Sequence, residues 1–196
     1  RINMRLSSFA GIAAVVVTLA AAPAASAADA FAVNKPHTFV AFSVERLGLT
    51  KVLGAFSKVD GEFSVDRDNQ VASSASLTID TASIYTGFEA RDKHLRSPDF
   101  FNVQEFPAMK FVSTKVERTG EKTAKVTGNL TLLGVTKPVT LDVTLNNIKE
   151  DARTKKNLAG FSARGTLKRT DFGMKYLAGP ISDEVTLMVE LLGDAK

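Results

Sequence analysis

Cysteine and tryptophan are both absent from the 196 residues, and histidine occurs twice, as His37 and His94. Without cysteine there is no disulfide, no thiolate metal site, no thiol nucleophile and no lipidated thiol. Two histidines cannot supply a cluster of imidazole ligands, and a histidine-dependent triad would have to use one of them. No G-x-S-x-G, Walker A or H-E-x-x-H word is present. His94 has acidic neighbours in Asp92 and Glu89, but positions 92 and 94 do not share a helix face, so they make a poor catalytic dyad. The excess of positive charge is also small. Lys and Arg number 25 against 21 Asp and Glu, a net charge of +4, with none of the dense basic stripe of a nucleic-acid binder. These shortages argue against an enzyme, a metal site or a nucleic-acid partner.

The first residues read as an address. Arg1 and Arg5 flank Met4, an uncharged run extends from Phe9 to Ala22, and Pro23 precedes the small-residue triplet Ala25-Ser26-Ala27. A positive start, a short apolar stretch and an A-x-A-like site make a secretory signal peptide. The run is shorter than the ~18 residues that cross a bilayer comfortably. Cleavage after Ala27 is expected. It would remove Arg1 and Arg5, leave one domain over residues 28–196 with no stable membrane anchor, and deliver it to the periplasm.

The rest of the chain alternates. Val139, Leu141, Val143 and Leu145 share one parity, as do Phe161, Ala163, Gly165 and Leu167, then Val185, Leu187, Val189 and Leu191, and more weakly Val71, Ala75, Leu77 and Ile79. Period two means strands with one buried face. Further strands are predicted at 37–46, 50–59, 60–66, 108–118 and 123–133. The dipeptides Asp60-Gly61, Thr119-Gly120 and Leu133-Gly134 supply turn chemistry. About eight antiparallel strands make an all-β sandwich or a closed barrel, and the pattern leaves both open. One segment breaks the alternation: Thr86 to Phe101 is crowded with charge and predicts a helix over 87–95 and a turn at 98–101, where Ser97 can cap and Pro98 comes next. A second helical turn is expected near 169–172. Asn34 to His37 reads as the entry to the first strand, and Asp183-Glu184 as a solvated turn before the last.

Phenylalanine is plentiful, at 13, against two tyrosines. Such an interior offers apolar area with few polar handles, which suits either a packed aromatic core or a pocket for a long apolar ligand. Small inward residues at Ser73, Ala75, Gly128, Ala163 and Gly165 leave room, or merely fit tight bends. From clustering and parity, candidate pore residues are Phe39, Phe42, Leu47, Phe56, Ile84, Phe88, Leu95, Phe101, Met109 and Phe111. Arg91, Asp92, His94 and Arg96 could orient a ligand head group or act as a lid; equally they could hold the charged insertion in place.

Several words recur in a family's order: Leu47-Gly48-Leu49-Thr50-Lys51-Val52 with Gly54-Ala55-Phe56, then Ile79-Asp80-Thr81-Ala82-Ser83-Ile84, Arg91-Asp92-Lys93-His94-Leu95-Arg96-Ser97-Pro98-Asp99-Phe100-Phe101, Gly128-Asn129-Leu130-Thr131-Leu132, and Thr170-Asp171-Phe172-Gly173-Met174. On these the chain resembles the YceI-like family of secreted, polyisoprenoid-binding proteins. The resemblance implies an eight-stranded lipocalin-like barrel with one short helical insertion near 87–101. It also implies a pore holding a long-chain isoprenoid, such as an isoprenoid quinone or its precursor or a prenyl phosphate, for transport, storage or sensing. It implies no metal, no cofactor beyond the bound lipid, and a homodimer by analogy. Arg46 stands where the family often has His. A ligand-free structural or stress-response module, and less so a hydrolase, remain the competing readings.

Overall fold

The computed structural model describes residues 28–69 and 72–196; the leader expected at 1–27 and the strand position expected at Val71 lie outside the described residues. Among the described residues there are eleven strands: β1 (Asp29–Val33), β2 (Phe39–Arg46), β3 (Thr50–Phe56), β4 (Val59–Val65), β5 (Ser74–Asp80), β6 (Ile84–Tyr85), β7 (Ala108–Arg118), β8 (Thr123–Leu132), β9 (Val135–Glu150), β10 (Asn157–Lys168) and β11 (Ile181–Ala195). One α-helix, α1 (Glu89–Leu95), interrupts them. Three pairs of these strands are single long strands with a break. Pro36, which has no N–H to give to a ladder, sits in the 3₁₀ turn between β1 and β2. Between β5 and β6 the Asp80 carboxylate accepts from the Ala82 N–H and winds residues 81–83 into another turn. Counted this way there are eight strands, each antiparallel to its sequence neighbours. The first pairs with the last through Phe31↔Ala195 and Val40↔Val189, so the sheet closes into a barrel. Closure resolves the alternative between sandwich and barrel that the alternation left open.

The predicted elements differ from the observed ones mainly at their ends. The helix starts at Glu89 rather than 87, and the turn after Ser97 forms as predicted, with Phe100 N–H donating to the Ser97 carbonyl at 3.0 Å. The 169–172 segment is a 3₁₀ turn. Asn34–His37 does not open the first strand, because β1 precedes it; the alternation Phe31, Val33 was too short to stand out. Asp183-Glu184 lies inside β11 rather than before it, and Asp183 accepts a hydrogen bond from the Thr170 N–H at 3.0 Å.

The barrel has two unlike ends. One carries the turn at 47–49, the insertion at 86–107, the turn at 133–134 and the loop at 173–180. Beneath them Phe42, Phe56, Ile84, Phe101, Met109, Leu132, Phe172 and Met174 form the main core and fill the lumen. This is the capped end. The opposite end carries the start of β1, the loop between β4 and β5, the hairpin at 119–122 and the turn at 151–156. Its smaller core stacks Phe31 on Phe63 at 5.2 Å and sets Phe63 edge-on to Phe161 at 5.5 Å.

Candidate functional site

Between the two cores the inward faces do not meet. They enclose a cavity of about 200 Å³. Its walls are the alternating positions: Ala75, Leu77 and Ile79 of β5; Ala124, Val126 and Leu130 of β8; Val139, Leu141, Val143 and Leu145 of β9; Phe161 and Ala163 of β10; and Leu187, Val189 and Leu191 of β11. Ser64, Ser73, Ser74, Lys122 and Thr123 stand at the far rim, so the cavity opens between the β4–β5 loop and the 119–122 hairpin. We call this the mouth end.

The wall is apolar in chemistry as well as in composition. Ser113, the one hydroxyl deep in it, accepts the Ala75 N–H at 2.9 Å. At the rim Ser64 and Ser74 hydrogen-bond each other at 2.8 Å, and Ser73 accepts the Asp66 N–H. No buried side-chain polar atom among the described residues lacks a partner. Such a surface recognises hydrocarbon by shape and area and offers polar contacts only at the mouth.

Two of the small inward positions make room for protein rather than ligand. A Cβ at Gly128 would come within 2.3 Å of the Phe111 ring, and one at Gly165 within 2.7 Å of Leu141. Both positions are occupied by a neighbouring strand's side chain, which leans into the space a Cβ would take. Ser73, Ala75 and Ala163 do border the cavity.

Of the ten candidate pore residues, Phe111 lines this cavity. Phe42, Phe56, Ile84, Phe101 and Met109 are buried in the capped-end core, with Leu95 packed against it. The Phe56 ring meets Phe101 at 5.3 Å and Phe42 at 5.8 Å, so these aromatics form a packed floor behind the residues that line the capped side of the cavity. Phe39, Leu47 and Phe88 are on the outside, 48%, 57% and 59% exposed. Most of the wall was thus reachable from period-two parity, whereas clustering of phenylalanines led to the floor.

The four charged candidates are gathered at the capped end, away from the cavity wall. Asp92 is buried, and one carboxylate oxygen accepts both the N–H and the hydroxyl of Thr86. Arg91 donates to the Thr86 hydroxyl at 2.7 Å and carbonyl at 2.8 Å, and its guanidinium lies 5.8 Å from the Phe88 ring centre. Arg96 donates to the carbonyls of Ala82 and Ile84 at 2.9 and 2.8 Å. His94 pairs with Asp99 at 2.8 Å rather than with Asp92, and packs edge-on against Phe100 and Tyr176. Together they strap α1 onto β6 and the adjoining turn.

Arg169 was missed by the sequence reading. It is buried, and its N–H groups donate to five backbone carbonyls, of Ser182, Met174, Tyr176, Leu177 and Ile181, at 2.8–3.3 Å. Burial pushes this guanidinium below its ordinary pKa, and the charge of Asp183 opposes the shift. Asp183 itself is held below the usual carboxylate value, chiefly by the Thr170 N–H, then by the Thr170 hydroxyl, with Arg169 adding to it. The only signal in the sequence was an arginine ahead of a long loop without alternation.

Comparison with known proteins places this architecture. A family profile described as YceI-like domain matches residues 31–192. Protein YceI of Escherichia coli O157:H7 is 43% identical over 157 residues, which covers 80% of this chain and 81% of that protein. The crystal structure of Burkholderia cenocepacia BcnA superposes with a TM-score of 0.73 at 25% identity, over 82% of this chain and 98% of that one. At 17% identity, a polyisoprenoid binding domain from Saccharophagus degradans shares the fold, with a TM-score of 0.65 over 86% of this chain and 99% of that one. The profile match over most of the chain, the 43% identity and the shared fold agree, and the chain belongs to the YceI-like family.

Proposed function

We propose that the barrel binds one isoprenoid chain, its hydrocarbon tail in the cavity and its head group at the mouth. The observation that carries this reading is the cavity itself, apolar along its walls, floored by aromatics at one end and open at the other. Wall residues such as Phe111, Leu141, Phe161 and Ala163 would supply the contact area, and Ser73 and Lys122 at the rim would stand nearest the head group. The fold neighbour described as polyisoprenoid-binding makes an isoprenoid the first ligand class to try. At 200 Å³ the cavity is smaller than the roughly 300–1,000 Å³ of drug-sized sites, so a long tail must continue through the mouth. Each further unit buried contributes through area, at about 25 cal/mol per Å². Secretion by a leader cut after Ala27 would place this carrier, store or sensor in the periplasm, acting by binding rather than by catalysis.

The test is mass spectrometry of the organic extract from protein purified from its own cells without detergent. A stoichiometric isoprenoid is expected. Ala163 lies between Val143 and Val189 on the inner wall and borders the cavity, so Ala163→Phe should fill the lumen and lose the extractable lipid at least ~tenfold while the barrel still folds. An empty extract that stays empty after incubation with isoprenoid quinones and prenyl phosphates would overturn the reading.

A further inference from the structure

The capped end leaves apolar side chains in water that no packing demand explains. Nine large apolar residues are exposed among the described residues, and seven of them are here. Leu47 and Leu49 form the tip between β2 and β3, with Leu49 83% exposed. Leu53 and Tyr85 share the outer face just behind that tip, because Ala55 pairs with Tyr85 and Leu53 is its diagonal neighbour. Phe88 lies beyond Tyr85. Tyr176 and Leu177 come from the facing loop, which the Leu47 N–H joins by donating to the Pro180 carbonyl at 2.8 Å. At the mouth end the hairpin at 119–122 and the turn at 151–156 hold no large apolar residue: they read Thr119-Gly120-Glu121-Lys122 and Asp151-Ala152-Arg153-Thr154-Lys155-Lys156.

Two further observations say what covers this patch. Leu47 and Leu177 both have left-handed backbones, at φ 56° and 51°. That conformation is sterically costly for a leucine, and here no burial offsets it. Both loops also put cations on the shoulders of the leucines: Arg46 and Lys51 flank the first tip, and Lys175 precedes Tyr176-Leu177. All three are exposed, and among the described residues none is in an ion pair. Exposed aliphatic tips, an amphipathic tyrosine and unpaired cations at one level match the layering of an anionic bilayer, where acyl chains lie beneath headgroups.

We propose that the capped end is a membrane-docking surface. Leu47, Leu49 and Leu177 enter the acyl boundary while Arg46, Lys51 and Lys175 meet anionic headgroups. Docked in this way, the barrel holds its mouth toward the water, so ligand exchange through the mouth faces soluble partners rather than the bilayer beneath. This inference stands on the surface alone and does not depend on what the cavity holds.

The absence of tryptophan makes the test direct. The leaderless protein carrying Leu49→Trp, and separately Arg153→Trp at the mouth end, is mixed with vesicles of phosphatidylglycerol and phosphatidylcholine in equal amounts. The Leu49→Trp emission should shift to the blue and be quenched by brominated acyl chains, and the Arg153→Trp emission should not. Unlabelled protein should pellet with the vesicles at low salt. Binding should fall about tenfold in Leu47→Asn/Leu49→Asn, and similarly in Arg46→Gln/Lys51→Gln or at high salt. Circular dichroism of the variants should match the parent and none should melt lower, because every substituted side chain is exposed and asparagine suits the left-handed backbone at position 47 better than leucine does. Absence of pelleting, or a blue shift confined to Arg153→Trp, would overturn the proposal. So would a Leu49→Trp shift that needs no vesicles and grows with protein concentration, which would make the patch a contact between copies.

Discussion

The two ends of the barrel are closed by different physics. At the capped end, long side chains reach buried backbone: Arg169 collects five carbonyls, Arg96 two, and the Thr81 hydroxyl donates to the Phe106 carbonyl at 2.7 Å. These bonds fix irregular chain that has no ladder of its own, above a packed aromatic core. At the mouth end the strands pair to their tips, and the surface is dressed with exposed ion pairs: Arg67 with Asp29 at 3.4 Å, Lys155 with Glu150 at 3.5 Å, and Lys196 with Glu62. Exposed pairs contribute little, with a median near 0–1 kcal/mol. The construction that is costly to break therefore lies under the cap, and the cavity opens where the chain is held mainly by its sheet.

That contrast can be broken experimentally. The largest effect is expected from Arg169→Ala, which strands five carbonyls inside the cap and should cost about 3–5 kcal/mol in urea unfolding. Arg169→Lys, with three donors and no planar fork, should recover only part of the loss. A melting temperature unchanged by Arg169→Ala would show that the 173–180 loop holds itself.

Phe101→Ala should come next, at about 3–4 kcal/mol for a large-to-small change in the floor. It also sharpens the comparison, because removing the floor deepens the cavity toward the cap. A longer prenyl tail should then bind relatively better than a short one, and an unchanged length preference would separate floor from site.

Acid should act on both ends more gently. Asp60, on the outer wall beside the Pro36 turn, is held low by the Lys35 ammonium and then the Gly61 N–H, Asp151 at the mouth by the N–H groups of Arg153 and Thr154, and Asp183 in the cap by Thr170. Each folded value lies below the unfolded one, so the unfolded chain binds more protons as acid is added. Their contributions are complete above the ordinary carboxylate value near ~3.9 and are lost as pH falls through the lower folded values. Melting temperature measured from pH ~5 to pH ~2 should fall, and Asp183→Asn should flatten the fall.

The smallest effect belongs to the mouth-end pairs. Lys155→Gln with Arg67→Gln should change stability by less than about 1 kcal/mol and less still at high salt. A larger loss would mean the mouth is held by charge and not by the sheet.

The comparison also shows how far the residues themselves speak. The wall was written in plain alternation: Val139 to Leu145 and Leu187 to Leu191 keep the period of a strand, and every one of those inward positions borders the cavity. The insertion announced itself through its charges and Ser97-Pro98. What stayed hidden was which end each residue would serve. Phe56 and Phe111 look alike in sequence, yet one is floor and the other wall, because their places depend on where the closed sheet puts each strand's ends. Arg169 looked like any surface arginine until the loop it gathers was in view.

Local chemistry therefore determined the strands, their inward faces, the breaks at Pro36 and Asp80 and the helical insertion, since each rests on neighbours two to five residues away. Closure of the first strand on the last, the choice of barrel over sandwich, the unfilled lumen and the contrast between its ends were decided only in three dimensions. They depend on pairings such as Phe31 with Ala195, and no local pattern states which distant strand will supply the partner.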